Sequence, residues 1–334
     1  MKICILARTV NLSAGGVGRF PKELTRNLEQ RGHEVKVVAL ESKGLYKYFL
    51  DSFVLNRLKI PPYFNIYHSV SPMEAFSLPH FRSVSTILDI ATITHPEMLG
   101  AGLDSPCKMK LGRRIFRQGV LTALKATKVT CISEDTKTEV ERVFGYNRLL
   151  EVIKLGIRED LEPRPRTSKE FTIGYLGQLD PRKRLDTLIE AFKVSRADKL
   201  IIGGKGRSET YLKTLGDDRV LFKGYVIDED LRDFYTSLDL FVFPSKIEGY
   251  GLPIVEAMAC KIPVIVMQDS IIPWELKSRC IIVDDLRYVL GNKKYLLARI
   301  NAMDLQSNYE FAKSHSWDKC TDEYLKVYKD VLDG

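Results

Sequence analysis

The sequence predicts an α/β protein made of two doubly wound, parallel-sheet domains in tandem. Three observations carry this reading. Short apolar runs alternate with amphipathic stretches, the alternation breaks once in a charged, proline-bearing segment, and it then restarts. Strands separated by helices build parallel sheets with helices on their faces. A chain of 334 residues that is 45% hydrophobic is long enough for two cores.

Residues 2–6 (KICIL) read as a buried first strand. Arg8 ends that run, which is too short for the apolar core of a signal peptide. Over residues 18–31, Phe20, Leu24 and Leu28 share one helical face, and residues 34–40 return to a strand. Further strands are predicted near 65–68, 84–88, 128–132 and 150–153, with helices over 106–126 and 134–144. Residues 159–170 (EDLEPRPRTSKE) hold two prolines, dense charge and no aromatic residue, which reads as an interdomain linker. Beyond it, strands over 171–177, 199–204, 219–224, 238–245 and 262–267 alternate with helices near 184–194, 207–215, 228–238 and 253–260. Residues 285–334 read as helical, and Ser316 suits the N-cap of the last helix. The predicted domains are 1–164, completed by the terminal helix 316–334, and 165–315. In open sheets of this kind ligands bind beyond the carboxyl ends of the strands, and two such domains leave a cleft between them.

Composition narrows the function. No apolar run approaches the ~18 residues of a membrane span. The six cysteines are scattered without a C-x-x-C pair, which argues against structural zinc and a disulfide framework and for a reducing, cytoplasmic setting. The net charge of +8 lies entirely in residues 1–165, with 25 Lys/Arg against 17 Asp/Glu, while residues 166–334 carry 26 of each. An anionic partner would therefore meet the N-terminal half.

The chemistry concentrates in residues 248–256, Glu-Gly-Tyr-Gly-Leu-Pro-Ile-Val-Glu, between a strand and a helix. Pro253 suits a first helical position. The amides of Gly249, Tyr250, Gly251 and Leu252 would then point out of a helix N-terminus, and glycines let a ligand approach the backbone. Such a site suits a diphosphate. Glu248 and Glu256 would accept hydrogen bonds from ribose or sugar hydroxyls. Taken singly, each glutamate reads rather as a solvated loop residue or an exposed helix residue; the whole string in a strand–loop–helix setting does not.

The string resembles the Glu-x7-Glu signature of the family-four retaining glycosyltransferases, which have the GT-B fold of two Rossmann-like domains facing across a cleft. Other segments carry the same resemblance: Gly15-Gly16-Val17-Gly18-Arg19 after the first strand, Arg31-Gly32-His33-Glu34-Val35, Gly177-Gln178-Leu179-Asp180-Pro181-Arg182-Lys183, and Phe243-Pro244-Ser245. Ser316-Trp317 with Val327-Tyr328 resembles the family's terminal helix, which crosses back to the N-terminal domain. The resemblance implies transfer of a hexosyl-type sugar, with retention, from a nucleotide-sugar to a glycan or lipid-linked acceptor. It implies that Glu256 takes the ribose hydroxyls, Glu248 a hydroxyl of the transferred sugar, and the Gly251 and Leu252 amides the distal phosphate. Lys183, with Arg182 beside it, would neutralise the diphosphate as the leaving group gains charge. Tyr225 and Val226 would lie along the nucleobase, and Gly15, Gly16 and Gly18 would approach the phosphate or acceptor. It implies no cofactor, no catalytic metal and no enzyme nucleophile. Two departures stand out: the family's usual arginine is Gln178, and the histidine of its His-Asp pair is Leu88, before Asp89. They leave open a sugar-nucleotide-binding protein of low activity.

Gly16-x-Gly18-x-x-Pro21 with Glu41 also imitates a dinucleotide fingerprint, so a nicotinamide-dependent oxidoreductase is the rival outside the fold. Pro21 in place of the third glycine, and eight residues before Gly15, weaken it. Asp228-Glu229-Asp230 reads as acids at a helix start rather than a metal motif. Residues 105–133 hold seven Lys/Arg and no acid. The ordinary reading is a solvated basic face beside a core-facing stripe. The functional one, shared by the basic-aromatic stretch from Lys43, is peripheral contact with an anionic membrane. No motif supports nucleic-acid binding.

Overall fold

The computed structural model describes residues 1–10, 16–39, 60, 62–79, 81–96, 106–146, 148–165 and 168–334. The chain divides into two compact units, Met1–Gly156 with Trp317–Gly334, and Ile157–Ser316. Each is built on a parallel sheet of six strands, as the alternation predicts.

In the first unit the strands are β1 (Lys2–Ala7), β2 (Glu34–Ala39), β3 (Ile66–Ser69), β4 (Ser83–Ile87), β5 (Lys128–Cys131) and β6 (Glu151–Val152), in the order β2-β1-β3-β4-β5-β6. The longer helices are α1 (Gly16–Gln30), α2 (Pro106–Ala123) and α3 (Glu134–Phe144), together with the terminal helix Trp317–Asp333. Ser133 caps α3 by accepting the Thr136 amide, and Gly145 ends it at φ 60°. Phe20, Leu24 and Leu28 of α1 are fully buried, so the predicted face is the packed one.

The terminal helix meets the sheet through a polar seam rather than an apolar one. His68 Nδ1 lies 2.8 Å from Tyr328 Oη and His68 Nε2 lies 2.7 Å from Thr86 Oγ1. Thr86 Oγ1 is also 2.9 Å from Tyr324 Oη and 2.8 Å from Thr130 Oγ1. All five residues are buried, and each hydroxyl or ring nitrogen has its partner within the seam. At its start the helix stacks Trp317 on Phe20, and Arg31 pairs with Asp318 at 2.7 Å.

In the second unit the strands are β7 (Thr172–Leu176), β8 (Lys199–Gly203), β9 (Val220–Gly224), β10 (Leu240–Phe243), β11 (Val264–Met267) and β12 (Ile281–Val283). The short last strand is an addition to the sequence reading. Besides the one-turn helix Trp274–Lys277, the helices are α4 (Leu185–Lys193), α5 (Glu209–Leu215), α6 (Leu231–Thr236), α7 (Leu252–Ala259), α8 (Leu286–Gly291), α9 (Lys293–Asn301) and α10 (Leu305–Lys313). The order β12-β11-β10-β7-β8-β9 runs outward in both directions from the β7/β10 pair. That pair is the topological switch point, where an open α/β sheet binds its ligand.

The stretch read as a linker is held to the second unit. Leu161 is fully buried, and the Glu162 carboxylate accepts from Tyr309 Oη at 2.7 Å and Lys313 Nζ at 2.6 Å. The chain passes between units at Gly156/Ile157, eight residues before the expected boundary. Prolines and charge mimic a linker, while one buried leucine and an ion pair attach it.

Candidate active site

The site is built from the loops that leave β7 and β10. After β7, Tyr175 Oη donates to the Gln178 carbonyl at 3.0 Å, and a short turn, Pro181–Lys183, precedes α4. The exits of β7, β8 and β9 are laced together: the Gly177 amide donates to the Gly203 carbonyl at 3.1 Å and the Gly204 amide to the Gly224 carbonyl at 2.6 Å. Gly204 has φ 121°, and a Cβ there would collide with the Gly177 carbonyl oxygen, so only glycine fits. Tyr225 and Val226 follow Gly224, and Val226 is buried.

After β10, the Lys246 amide donates to the Arg182 carbonyl at 2.9 Å, and the Glu248 amide to the Ile271 carbonyl at 2.9 Å. Gly251, at φ 108°, turns the chain into α7, and Pro253 falls in its first turn. Gly251 and Leu252 thus stand at the helix N-terminus, with Gly249 and Tyr250 in the loop before it.

Arg182 and Lys183 converge on Glu248. Lys183 Nζ donates to Glu248 Oε1, Ser245 Oγ donates to the same oxygen, and Arg182 Nη1 lies 3.4 Å from Oε2. The Lys183 side chain is 6% exposed and that of Glu248 is 13% exposed. Burial works to raise the Glu248 pKa, but the Lys183 and Arg182 charges, with hydrogen bonds from Lys183 and Ser245, outweigh it and hold the carboxyl below its usual range. For Lys183 burial prevails, helped by the like charge of Arg182, and lowers its pKa. Lys183 Nζ also sits 5.3 Å from the centre of the Phe243 ring. The sequence reading gave Lys183 and Glu248 separate targets; the fold makes them one ion pair.

Glu256 lies on α7, 2% exposed, so it is not a solvated helix residue. Its Oε2 accepts from Tyr235 Oη at 2.7 Å. Tyr250, read as a donor-binding residue, buries its ring and turns its hydroxyl towards His315 and Glu275. Gly16 and Gly18 lie in the first turn of α1 rather than in a loop before it, and Gly15 lies outside the described residues, as do Glu41 and the stretch from Lys43. Leu88 is half-buried, and Asp89 Oδ1 accepts from the Ala91 amide at 3.0 Å. Asp228–Asp230 form a short turn leading into α6.

Arg184, which the sequence reading passed over, holds the two loops together. It has φ 51°, unusual for a side chain other than glycine. Its Nε donates to the Pro244 carbonyl at 2.6 Å, Nη1 to both Asp269 oxygens at 2.7 and 3.0 Å, and Nη2 to Ser270 Oγ at 3.1 Å.

The geometry therefore offers two cations, a carboxylate and a helix N-terminus at the switch point of a parallel sheet. The family model described as Glycosyl transferases group 1 matches residues 157–285, which span this whole site. Over these residues the chain is similar to the group 1 glycosyl transferases. Among its relatives, this glycosyltransferase is 27% identical to the O-antigen chain mannosyltransferase B of Escherichia coli, over 79% of this chain and 74% of that one. It is 30% identical to the GDP-mannose-dependent alpha-(1-6)-phosphatidylinositol monomannoside mannosyltransferase of Mycobacterium tuberculosis, over 41% of this chain and 43% of that one. Among solved structures, sucrose-phosphate synthase from Thermosynechococcus elongatus superposes with a TM-score of 0.80 at 16% identity, covering 100% of this chain and 99% of that one. This likeness shows the GT-B fold. The match and the relatives speak for a glycosyltransferase and against the oxidoreductase alternative.

Proposed function

We propose that this glycosyltransferase moves a hexosyl unit, mannose first among the candidates, from a nucleoside-diphosphate sugar to a glycan or lipid-linked acceptor with retention at the anomeric carbon. One observation carries the reading: Arg182, Lys183 and Glu248 meet beside the N-terminus of α7, beyond the carboxyl ends of β7 and β10. The diphosphate gains negative charge as the glycosidic bond breaks. Arg182, Lys183 and the Gly251 and Leu252 amides are fixed donors able to stabilise that charge. They supply the positive charge a metal would otherwise bring, so the reaction is proposed to be metal-independent. Glu248, kept ionised by its neighbours, is suited to accept a hydrogen bond from a hydroxyl of the transferred sugar. Glu256, aimed by Tyr235, is assigned the ribose. Mannose, and GDP as its carrier, are suggested by the mannosyl relatives; retention rests on the Glu-x7-Glu resemblance.

The acceptor side is proposed to work at an anionic membrane surface. Lys110, Arg113, Arg114 and Arg117 of α2 are exposed beside Leu111, which is 50% exposed. Among the described residues no helix is long and apolar enough to cross a membrane, so contact would be peripheral. Flotation with anionic liposomes at low salt should carry the protein upward, and its absence would remove this part of the proposal.

The central test is calorimetric binding of GDP, UDP, ADP, their common sugar conjugates and NAD(H). Selective binding of one nucleoside diphosphate and its sugar is expected, GDP and GDP-mannose first, and the chosen donor should then release its nucleotide with acceptor extracts. Binding of none of them would sink the donor-site assignment. Binding without turnover would favour the low-activity reading that Gln178 and Leu88 suggest.

A further inference from the structure

The loop carrying Glu248 is pinned at its middle by a buried side chain. Tyr250 is 3% exposed, and its Oη lies 2.5 Å from His315 Nε2 and 3.1 Å from Glu275 Oε1. His315 is buried as well, and its Nδ1 lies 2.8 Å from the Phe311 carbonyl oxygen. A carbonyl only accepts, so Nδ1 carries a proton and Nε2 is the atom turned to the phenol. The His315 backbone is fixed too: its carbonyl accepts from the Ile157 amide at 2.9 Å. Three segments remote in sequence thus converge on one hydroxyl: the β10 exit loop, the one-turn helix Trp274–Lys277 that carries Glu275, and the residues following α10.

We propose that Tyr250, His315 and Glu275 act together as a positioning device that holds the donor loop ready for the nucleotide diphosphate. The inference rests on the donor-site reading above and goes beyond it. Tyr250 stands between Gly249 and Gly251, and glycines lose more conformational freedom on ordering than any other residue. Two residues before it is the Glu248 carboxylate; two residues after it is the Leu252 amide. Holding the phenol therefore sets both the carboxylate and the amides. A loop ordered before binding spares the complex the entropic cost of ordering it. None of the three side chains is assigned to touch the ligand; they act through the backbone they hold.

A phenol has one proton to give, and with Nδ1 protonated a neutral His315 ring accepts at Nε2, so Nε2 and the Glu275 carboxylate compete for that proton. Burial first, and then the Glu275 charge, push the Tyr250 pKa upward, so the phenol keeps its proton at neutral pH. Tyr250→Phe removes one oxygen atom and leaves the ring in place, which separates the hydrogen bonds from the packing. His315→Gln keeps an amide near the position of Nε2, whereas His315→Ala keeps nothing there.

GDP, UDP and ADP are titrated calorimetrically into wild type, Tyr250→Phe, His315→Ala, the double variant, His315→Gln and, as a control, Glu256→Ala, well below each unfolding midpoint. For the nucleotide that wild type binds, the first two variants are each expected to weaken affinity about tenfold, the scale of one lost hydrogen bond to a charged or oriented partner. The double variant should be no weaker than His315→Ala alone, because both changes break one chain. His315→Gln should recover most of the loss. A merely structural role would lower the unfolding midpoint and leave affinity unchanged. Affinities within twofold of wild type in both Tyr250→Phe and His315→Ala, with Glu256→Ala weakened, overturn the positioning role and spare the donor site. Additive losses in the double variant also overturn it. No binding of any of the three nucleotides by wild type overturns both.

Discussion

Tyr235 Oη donates to Glu256 Oε2 at 2.7 Å, and both side chains are buried. The bond ties α6 to α7 and fixes the direction in which the carboxylate presents itself. A hydrogen bond to a charged group contributes about 1.5–3 kcal/mol, more than a neutral one. Tyr235→Phe should therefore destabilise the second unit by about that amount, read by urea denaturation. It should also weaken nucleotide binding about tenfold in calorimetry. Unchanged affinity alongside the loss of stability would show that Glu256 is structural and does not hold the ribose.

The Lys183–Glu248 pair makes a prediction that separates two ligands. A nucleotide diphosphate and the Glu248 carboxylate would draw on the same cations, Lys183 and Arg182. Glu248→Gln leaves those cations to the phosphates but removes the acceptor proposed for the sugar hydroxyl. GDP should then bind several-fold tighter than to wild type, GDP-mannose should gain less or lose, and transfer should fall at least 100-fold. Removing one partner of a buried pair costs about 3–5 kcal/mol, so the variant should also be less stable than wild type. Weaker GDP binding by the variant would contradict the shared use of the cations.

Arg184 combines strain with attachment, and substitution separates them. Its φ of 51° disfavours any residue with a Cβ by about 1 kcal/mol, while its guanidinium grips Pro244, Asp269 and Ser270. Both Arg184→Ala and Arg184→Gly lose the grip, and only glycine relieves the strain. Both should be less stable than wild type, with alanine the worse by about 1 kcal/mol in denaturant titration. An alanine variant as stable as wild type, which keeps the strain and loses the grip, would mean that the contacts of Arg184 contribute nothing.

The contrast between Lys183 and Arg184 shows what the sequence makes legible. Lys183 belongs to a local string, Gly177 to Lys183, placed after a strand and before a helix, so its neighbourhood follows from order along the chain. The same holds for Glu248, Gly251 and Glu256, and for both parallel sheets, since strand and helix periods are local. Arg184 depends on a backbone angle that no arginine advertises and on Asp269, 85 residues away. His315 meets Tyr250 across 65 residues, and Tyr235 meets Glu256 across 21. Such pairs exist only once the sheet order is known. One signal was within reach: Gly203-Gly204-Lys205-Gly206 leaves a strand as a glycine-rich loop, and its backbone lies against the Gly177–Leu179 exit.

The polar seam of the first unit yields a pH dependence with a definite sign. Burial lowers the His68 pKa from 6.5 to about 3, so the folded protein keeps this imidazole neutral through mildly acid pH. The unfolded chain binds a proton there once the pH falls below about 6.5. Between those values the unfolded state holds more protons than the folded one, so stability rises with pH across the window and falls as acid is added. The slope from this group approaches about 1.4 kcal/mol per pH unit. His68→Gln cannot take up that proton and keeps hydrogen-bonding atoms for Tyr328 and Thr86. Denaturant titrations at pH 7 and pH 4.5 should show wild type losing about 2–3 kcal/mol more than the variant between the two conditions. Should the variant fail to fold, the His68 ring resonance of wild type supplies the same test by NMR, and it is expected to stay unshifted down to pH 4.5. Parallel stability curves, or a ring titrating near pH 6, would mean that the seam carries a charged histidine. The terminal helix would then be held to the sheet by an ion rather than by neutral hydrogen bonds.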